Sequence, residues 1–379
     1  MIFALLAHWG AGAAAAEPEL LALHTSRVTG IAFSNDGKWF GSVSSGKIII
    51  LNWKTKKEAM AFDRTKGDSS PAAVHSLAFS PDSKSLAVGY TAWTKVKGVS
   101  VPVGAIQVWD VATGREGTLT ADEALTNPMS AVAYSPDGLF LAGGAKRSPS
   151  KEATRIAKDM LPAGVPEGEF KLWNREKISL KAEVPAPFGP VTAIAFQADS
   201  KVVAFGCGDT SYTKESADRV GLFGQFVLWD IKGSKEIVRV DWNSAAVCAV
   251  SFNSAGILAV GGGRPSINTP EVRRPPLGRL ILWDPAAKKT LVELRGHRFV
   301  VSTLAFSPDG TLLLAGGGDY GLDKGELRLW DVKKEREITN LSASFQSIVG
   351  SVVFAPDGKS FAVASGNDIT IWNLADVVK

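Results

Sequence analysis

Val301-Ser-Thr-Leu-Ala-Phe-Ser-Pro-Asp-Gly-Thr-Leu-Leu-Leu-Ala315, followed by Leu327-Arg-Leu-Trp-Asp331, is the clearest copy of a unit that recurs along the chain. Large and small residues alternate up to Phe306, and a period of two marks a β-strand. Ser307-Pro-Asp-Gly310 then suits a type I turn, because proline presets φ and glycine relieves the exit. A second strand opens at Leu312, and a third ends at Trp330 and Asp331.

Outward from this copy, six more appear. Their first strands end at Phe33, Phe79, Tyr134, Phe196, Phe252 and Phe354. Val28, Val74, Met129, Val191, Val247 and Val349 stand five residues earlier. The turn recurs as Ser-Asn-Asp-Gly at 34–37, Ser-Pro-Asp-Ser at 80–83, Ser-Pro-Asp-Gly at 135–138 and Ala-Pro-Asp-Gly at 355–358. Degraded copies stand at 197–200 and 253–256. Third strands are read as ending at Trp53, Trp109, Trp173, Trp229, Trp283, Trp330 and Trp372, and Asp or Asn follows six of them. A fourth strand runs through charged stretches such as Lys333 to Ile338, which suits an edge that resists pairing with other chains.

Seven units of four strands with a Trp-Asp ending resemble the WD40-repeat family, over about Glu19 to Leu374. The resemblance implies an all-β fold: a seven-bladed β-propeller of four-stranded antiparallel blades around a central channel. The chain ends just after the third strand of the seventh unit, and Glu19 to His24 aligns with the fourth strand of an earlier one (Leu291 to Arg295). The N-terminal strand is therefore expected to complete the last blade and close the ring. The seven tryptophans and His297 are read as structural. The resemblance also implies a His–Asp–Ser/Thr–Trp hydrogen-bond network, here mostly missing. His297 is in reach of Trp330 and Asp319, with Gly316 in the Ser/Thr place. His24 aligns with His297 without the rest, and the other blades offer no matching histidine.

The chain has 379 residues, 45% of them hydrophobic and 21% charged, with a net charge of +4. This is a globular composition without a global pull towards nucleic acid. Residues 17–379 read as one domain. Residues 1–16 read as a signal peptide with a small-residue cleavage site, or as a disordered Ala-rich tail, since no Lys or Arg precedes the apolar run. The first reading means export, periplasmic or extracellular; the second means a cytoplasmic protein. No apolar run is long enough to span a membrane. Cys207 and Cys248 are too few for a disulfide scaffold and read as buried thiols, a bond being conceivable on export.

Family units repeat every ~40–45 residues. The tryptophan spacings here are 56, 64, 56, 54, 47 and 42. The excess falls between second and third strands, in loops at about 90–104, 145–168, 208–224, 262–279 and 317–325. In the family such loops share one rim, so blades two to six are expected to raise a wall and blades seven and one to leave a gap. Together the five loops carry an excess of five positive charges, with Tyr90, Trp93, Tyr212, Phe223 and Tyr320 among them. Aromatic residues and arginine make binding hot spots, and long loops on a rigid scaffold carry function. Trp93, Arg147, Arg155, Tyr212, Arg273, Arg274 and Tyr320 are the expected partner-binding residues. Ser150 is read as the cap of a short helix in the third loop.

Catalytic motifs are not found. Gly316 to Gly321 fits Gly-x-Gly-x-x-Gly, and Gly41 to Lys47 nearly fits a phosphate loop, but strands rather than helices follow both. No catalytic residue, metal ligand or cofactor is expected. The leading reading is a non-catalytic platform for a protein or peptide partner, monomeric by itself. The alternative is an exported propeller enzyme, or a small-molecule or glycan binder, at the channel mouth, with Asp209, Asp319 and Asp323 as candidates. Nucleic-acid binding through the Arg-rich fifth loop is disfavoured by the small net charge.

Overall fold

The structure, a computed structural model, describes residues 17–63, 73–96, 99–118, 129–146, 168–177, 179–186, 189–208, 224–242, 246–268, 273–319 and 321–378. Seven four-stranded antiparallel sheets form the blades of a β-propeller. Blade 1 holds Gly30–Phe33, Trp39–Ser44, Lys47–Asn52 and Lys57–Asp63. Blade 3 holds Met129–Tyr134, Phe140–Lys146, Gly168–Asn174 and Ser179–Ala186, and the other blades repeat this order. In blade 7 the strand Glu19–Leu21 takes the fourth place, with Glu19 opposite Ile371 and Leu21 opposite Ile369. The ring is thus closed by the N-terminal strand, which removes a long open edge.

The core is distributed between blades. Phe40, Ile49 and Leu51 of blade 1 pack with Ala362, Ile369 and Ile371 of blade 7. Val43, Ile48 and Ile50 pack with Leu77, Phe79 and Trp109 of blade 2. The same arrangement recurs round the ring, and each buried Val, Leu, Ile or Phe contributes roughly 1.5–3 kcal/mol. First-strand hydroxyls add stitches. Thr29 and Thr192 donate to the carbonyls of Val74 and Val247 in the next blade, at 3.0 and 2.8 Å. Ser76 and Thr303 accept the N–H groups of Val132 and Val352, both at 3.1 Å.

The turn after each first strand is built from the residues that announced it. Ser34, Ser80, Ser135 and Ser307 each donate to the aspartate two residues on, at 2.5–2.6 Å. The fourth position has positive φ, as in Gly37 (68°) and Gly310 (73°). Ser83 (60°) and Ser200 (59°) hold the same conformation without being glycine. Their hydroxyls accept the backbone N–H of Asp36 and Asp137 in the preceding blade, at 3.1 and 3.0 Å, which offsets the unfavourable left-handed backbone.

The third-strand ending departs from expectation in blade 1. Trp109, Trp173, Trp229, Trp283, Trp330 and Trp372 all occupy one register position, opposite the second residue of the second strand or its equivalent. In blade 1 that position, opposite Phe40, belongs to Leu51. Trp53 stands two residues later, in the turn, against Phe33 and Phe40 at ring-centre distances of 4.6 and 5.6 Å. Asn52 is therefore the seventh member of the Asp/Asn series. Its side chain accepts the N–H of Thr55, as Asp230 accepts that of Gly233 and Asp331 that of Lys334.

Candidate functional site

Antiparallel blades put the turns after first and third strands on one face of the ring. The connections between second and third strands lie on the other. In blades 1 and 7 these connections are tight turns at Ser45-Gly46 and Gly366-Asn367. In blade 2 the segment expected as a loop, 90–104, is strand over 90–96 and 99–104. Ser85–Val96 and Val99–Asp110 stay paired to Val96 opposite Val99, making one long hairpin arm. The reason is the alternation of Ala92, Thr94 and Val96 with Trp93 and Lys95, which continues the strand period. In blade 5, strands pair to Arg264 opposite Leu277, and a ribbon of Ile267–Asn268 with Arg273–Arg274 lies beyond. In blade 6 pairing runs to Asp319 opposite Lys324.

The expected partner-binding residues fall unevenly on this frame. Trp93 stands opposite Pro102 on the blade-2 arm. Arg273 and Arg274 stand opposite Asn268 and Ile267 in the blade-5 ribbon. Arg147, Arg155, Tyr212 and Tyr320 lie outside the described residues, as do Ser150, Asp209 and Phe223. Residues 1–16 lie outside them too. Tyr90, grouped above with the loop aromatics, packs instead against the core between blades 1 and 2.

A buried carboxylate roots the arms of blades 5 and 6. Asp319 is fully buried. It accepts the N–H of Ser266 at 2.9 Å and that of Gly321 at 2.8 Å, pinning one connection to the other. Burial opposes its ionisation, but these bonds outweigh burial and hold the carboxyl below its ordinary range. Asp323 accepts the hydroxyl of Ser347 at 3.0 Å. Asp319 is thus committed to backbone donors rather than open to a substrate. Among the described residues no group of three or more His, Cys, Asp or Glu is placed to hold a metal ion.

The histidines differ from what the resemblance implied. His297 Nδ1 faces Glu326 at 3.5 Å, not Asp319, and its ring lies 6.0 Å from that of Trp330. Glu326 also accepts the N–H groups of Arg298 and Phe299, both at 3.0 Å. Arg328 joins Glu326 to Glu337. Burial acts against the Glu326 charge, yet His297, Phe299 and Arg328 together bring its pKa down to about 2. The place expected for Gly316 belongs to Ala315, which stands two residues beyond Leu313, the residue opposite Trp330, as Ser42 stands two beyond Phe40, the residue opposite Leu51. His24 does have a hydroxyl partner, Ser42, at 2.8 Å. A further histidine, His75 in blade 2, meets Thr91 at 2.8 Å. The indole N–H groups of Trp229, Trp283 and Trp330 are buried without an acceptor among the described residues, so apolar packing holds these blades.

Cys207 and Cys248 are free. Burial pushes their thiols up to about 11 and about 12, which keeps them protonated and poorly nucleophilic. No helix among the described residues is long and apolar enough to cross a membrane.

A family model described as "WD domain, G-beta repeat" matches residues 20–52 and 288–331. The two matches end on Asn52 and Asp331, the equivalent positions of the structural register. Over 98 residues the chain is 34% identical to WD repeat and SOCS box-containing protein 1 of Homo sapiens, covering 26% of this chain and 22% of that protein. It is 36% identical over 81 residues to small ribosomal subunit protein RACK1z of Arabidopsis thaliana, covering 21% and 23%. Periodic tryptophan protein 2 homolog of Dictyostelium discoideum is 26% identical over 109 residues, covering 28% and 10%. The chain thus spans less than a quarter of the length of each of these relatives.

Proposed function

From a chain that is a WD40-repeat β-propeller, we propose a non-catalytic interaction platform that holds a protein or peptide partner on the rim of its long hairpins. The observation that carries this reading is the asymmetry of the rim. Blades 1 and 7 close in tight turns, while blade 2 sends an arm five residue pairs beyond Thr91 and Gly104, and blades 5 and 6 extend theirs. A two-stranded ribbon standing free is marginal in water, so it is kept where it meets something. Trp93, Arg273 and Arg274 stand on these extensions, and Arg147, Arg155, Tyr212 and Tyr320 stand in the neighbouring connections.

The test is capture from the native source with two forms of the protein: intact, and with blades 2 and 5 cut to blade-7 length. A partner held by the intact form and lost from the trimmed form, at unchanged melting temperature, supports the reading. Identical captures from both refute it. Export is part of the same proposal and rests on residues 1–16. N-terminal sequencing of the protein isolated from its source, with a start near Glu17 outside the cytoplasm, is the expected result.

A further inference from the structure

The arm of blade 2 is a ribbon of two strands, and its pairing sorts its residues between two faces. Ala92 stands opposite Val103, Thr94 opposite Val101, and Val96 opposite Val99. Residues alternate between faces along a strand, so these six share a face with Tyr90. Trp93 and Lys95, opposite Pro102 and Ser100, belong to the other. Five of the six are apolar and the sixth is threonine. Their face is the one turned to blade 1, because Tyr90, Leu86 and Trp109 all pack in the core between blades 1 and 2.

Blade 1 does not rise to meet it. Ser44 stands four residues beyond Phe40, the partner of Leu51, as Tyr90 stands four beyond Leu86, the partner of Trp109. The second strand of blade 1 ends at Ser44, and that of blade 7 ends at the equivalent Ser365. Everything past Tyr90 therefore stands above two neighbouring blades that have already turned back. A contiguous apolar face in that position marks an interaction site.

The chain's own segments do not match this face. Residues 64–70, which lead from blade 1 towards blade 2, include no hydrophobic residue. Residues 1–16 join the ring through Glu19, the turn-face end of its strand, since Leu21 pairs nearer the rim. A second copy does not match it either. Five residue pairs on two strands make a face of roughly 16 by 10 Å, far below the ~800 Å² per partner of a standard interface.

An added strand meets an obstacle. The Asp110 N–H donates to the Arg115 carbonyl, on the side of the fourth strand. By alternation Ile106, Gly104, Pro102 and Ser100 turn their main-chain groups to that outer side. Pro102 has no N–H, which interrupts the edge where a new strand would pair. A segment lying on the face must instead satisfy its own backbone. A helix does so, and one helix is about as wide as the ribbon. Lys95 and Lys97 are the only charged residues from Ser85 to Trp109, so the arm's tip favours acidic groups.

We propose that the blade-2 arm is a docking wall for an amphipathic helix of the partner, about three turns long. The helix lies above blades 1 and 7 with its apolar stripe against the face of Ala92 to Val103 and its acidic residues towards the tip of the arm. This rests on the rim reading and narrows it to one element of the partner.

The experiment selects two displayed peptide libraries on the full chain: three-turn helices randomised at their exposed positions, and extended segments with alternating apolar residues. The expected binders are helices with an apolar stripe and with Asp or Glu at one end. Affinity of a selected helix should fall about tenfold or more in Val101→Lys. It should stay unchanged in Ser100→Lys, which puts the same charge on the other face. Thr94→Lys repeats the test from the second strand and guards against a folding artefact, with melting temperature as the check. Lys95→Glu combined with Lys97→Glu should weaken binding, most at low salt. Binders from the extended library alone, equal affinity in Val101→Lys, or a dimer of the chain that Val101→Lys dissolves would overturn the proposal. A native partner lost on trimming the hairpins yet kept by Val101→Lys would sink this inference and leave the rim reading standing. A partner kept through both changes would sink the two together.

Discussion

The two faces of this ring are built by opposite rules. On the turn face, serine, aspartate and a left-handed fourth residue recur in blade after blade, and each third strand ends in an Asp or Asn that caps the next turn. On the other face the described connections differ: tight turns in blades 1 and 7, a long arm in blade 2, a pinned pair in blades 5 and 6. Repetition marks what every blade needs in order to stack, and divergence marks what stacking does not require.

The comparison breaks if turn-face residues prove dispensable for stability. Trp372 is 3% exposed and central to its blade, whereas Trp53 is half-buried at a corner. Trp372→Ala is expected to lower unfolding free energy by about 3–5 kcal/mol, and Trp53→Ala by roughly half of that, in urea titrations. Equal losses would mean that Trp53 anchors its blade as the others do. Next in size, Glu326→Ala removes the partner of two backbone N–H groups and of Arg328 at the root of the rim. A loss of about 3 kcal/mol is expected, with the trimmed hairpins making no difference to it. Ser307→Ala takes a hydroxyl from a repeating turn and should cost about 1 kcal/mol while leaving partner capture intact.

The smallest expected effect is a pH dependence. Burial and the nearby Lys47 lower the His24 pKa to about 4 from an ordinary 6.5. The unfolded chain therefore takes up this proton first, and stability drops as pH falls from 6.5 towards 4. Glu326 acts in the same direction at lower pH, between its ordinary 4.5 and about 2. His24→Gln should flatten the upper part of a melting-temperature profile and leave the lower part unchanged.

Much of the frame was legible because its signals are local. The alternating first strands, the Ser-Pro-Asp-Gly turns and the charged fourth strands each follow from chemistry within ten residues. Ring closure was legible because Glu19 to His24 matches a fourth strand with no blade of its own. Trp53 misled because a shift of two residues preserves the strand face, so a search for tryptophan passes over Leu51-Asn52. The Glu326 partner of His297 was hidden because it depends on how the next strand is laid down, and the Ala315 position was hidden because a run of small residues, Ala315 to Gly318, does not mark its own register. The blade-2 arm was mistaken for a loop because spacing was read before alternation. Tyr134, where the other first strands end in phenylalanine, and Arg175, where the other blades have an apolar residue, lie 4.8 Å apart from ring centre to guanidinium, but nothing in a linear sequence says that they touch. On the rim, the structure positions Trp93, Arg273 and Arg274 by backbone register, while Arg147, Arg155, Tyr212 and Tyr320 lie outside the described residues.

The most direct test of the division between faces is photo-crosslinking in the native source. A photoreactive residue is placed at Thr94 on the blade-2 arm and, in a separate protein, at Asp357 on the blade-7 turn. The expected result is a discrete protein adduct from Thr94 and none from Asp357. An adduct from Asp357 alone, or from neither position, would contradict the assignment of partner binding to the long-hairpin rim.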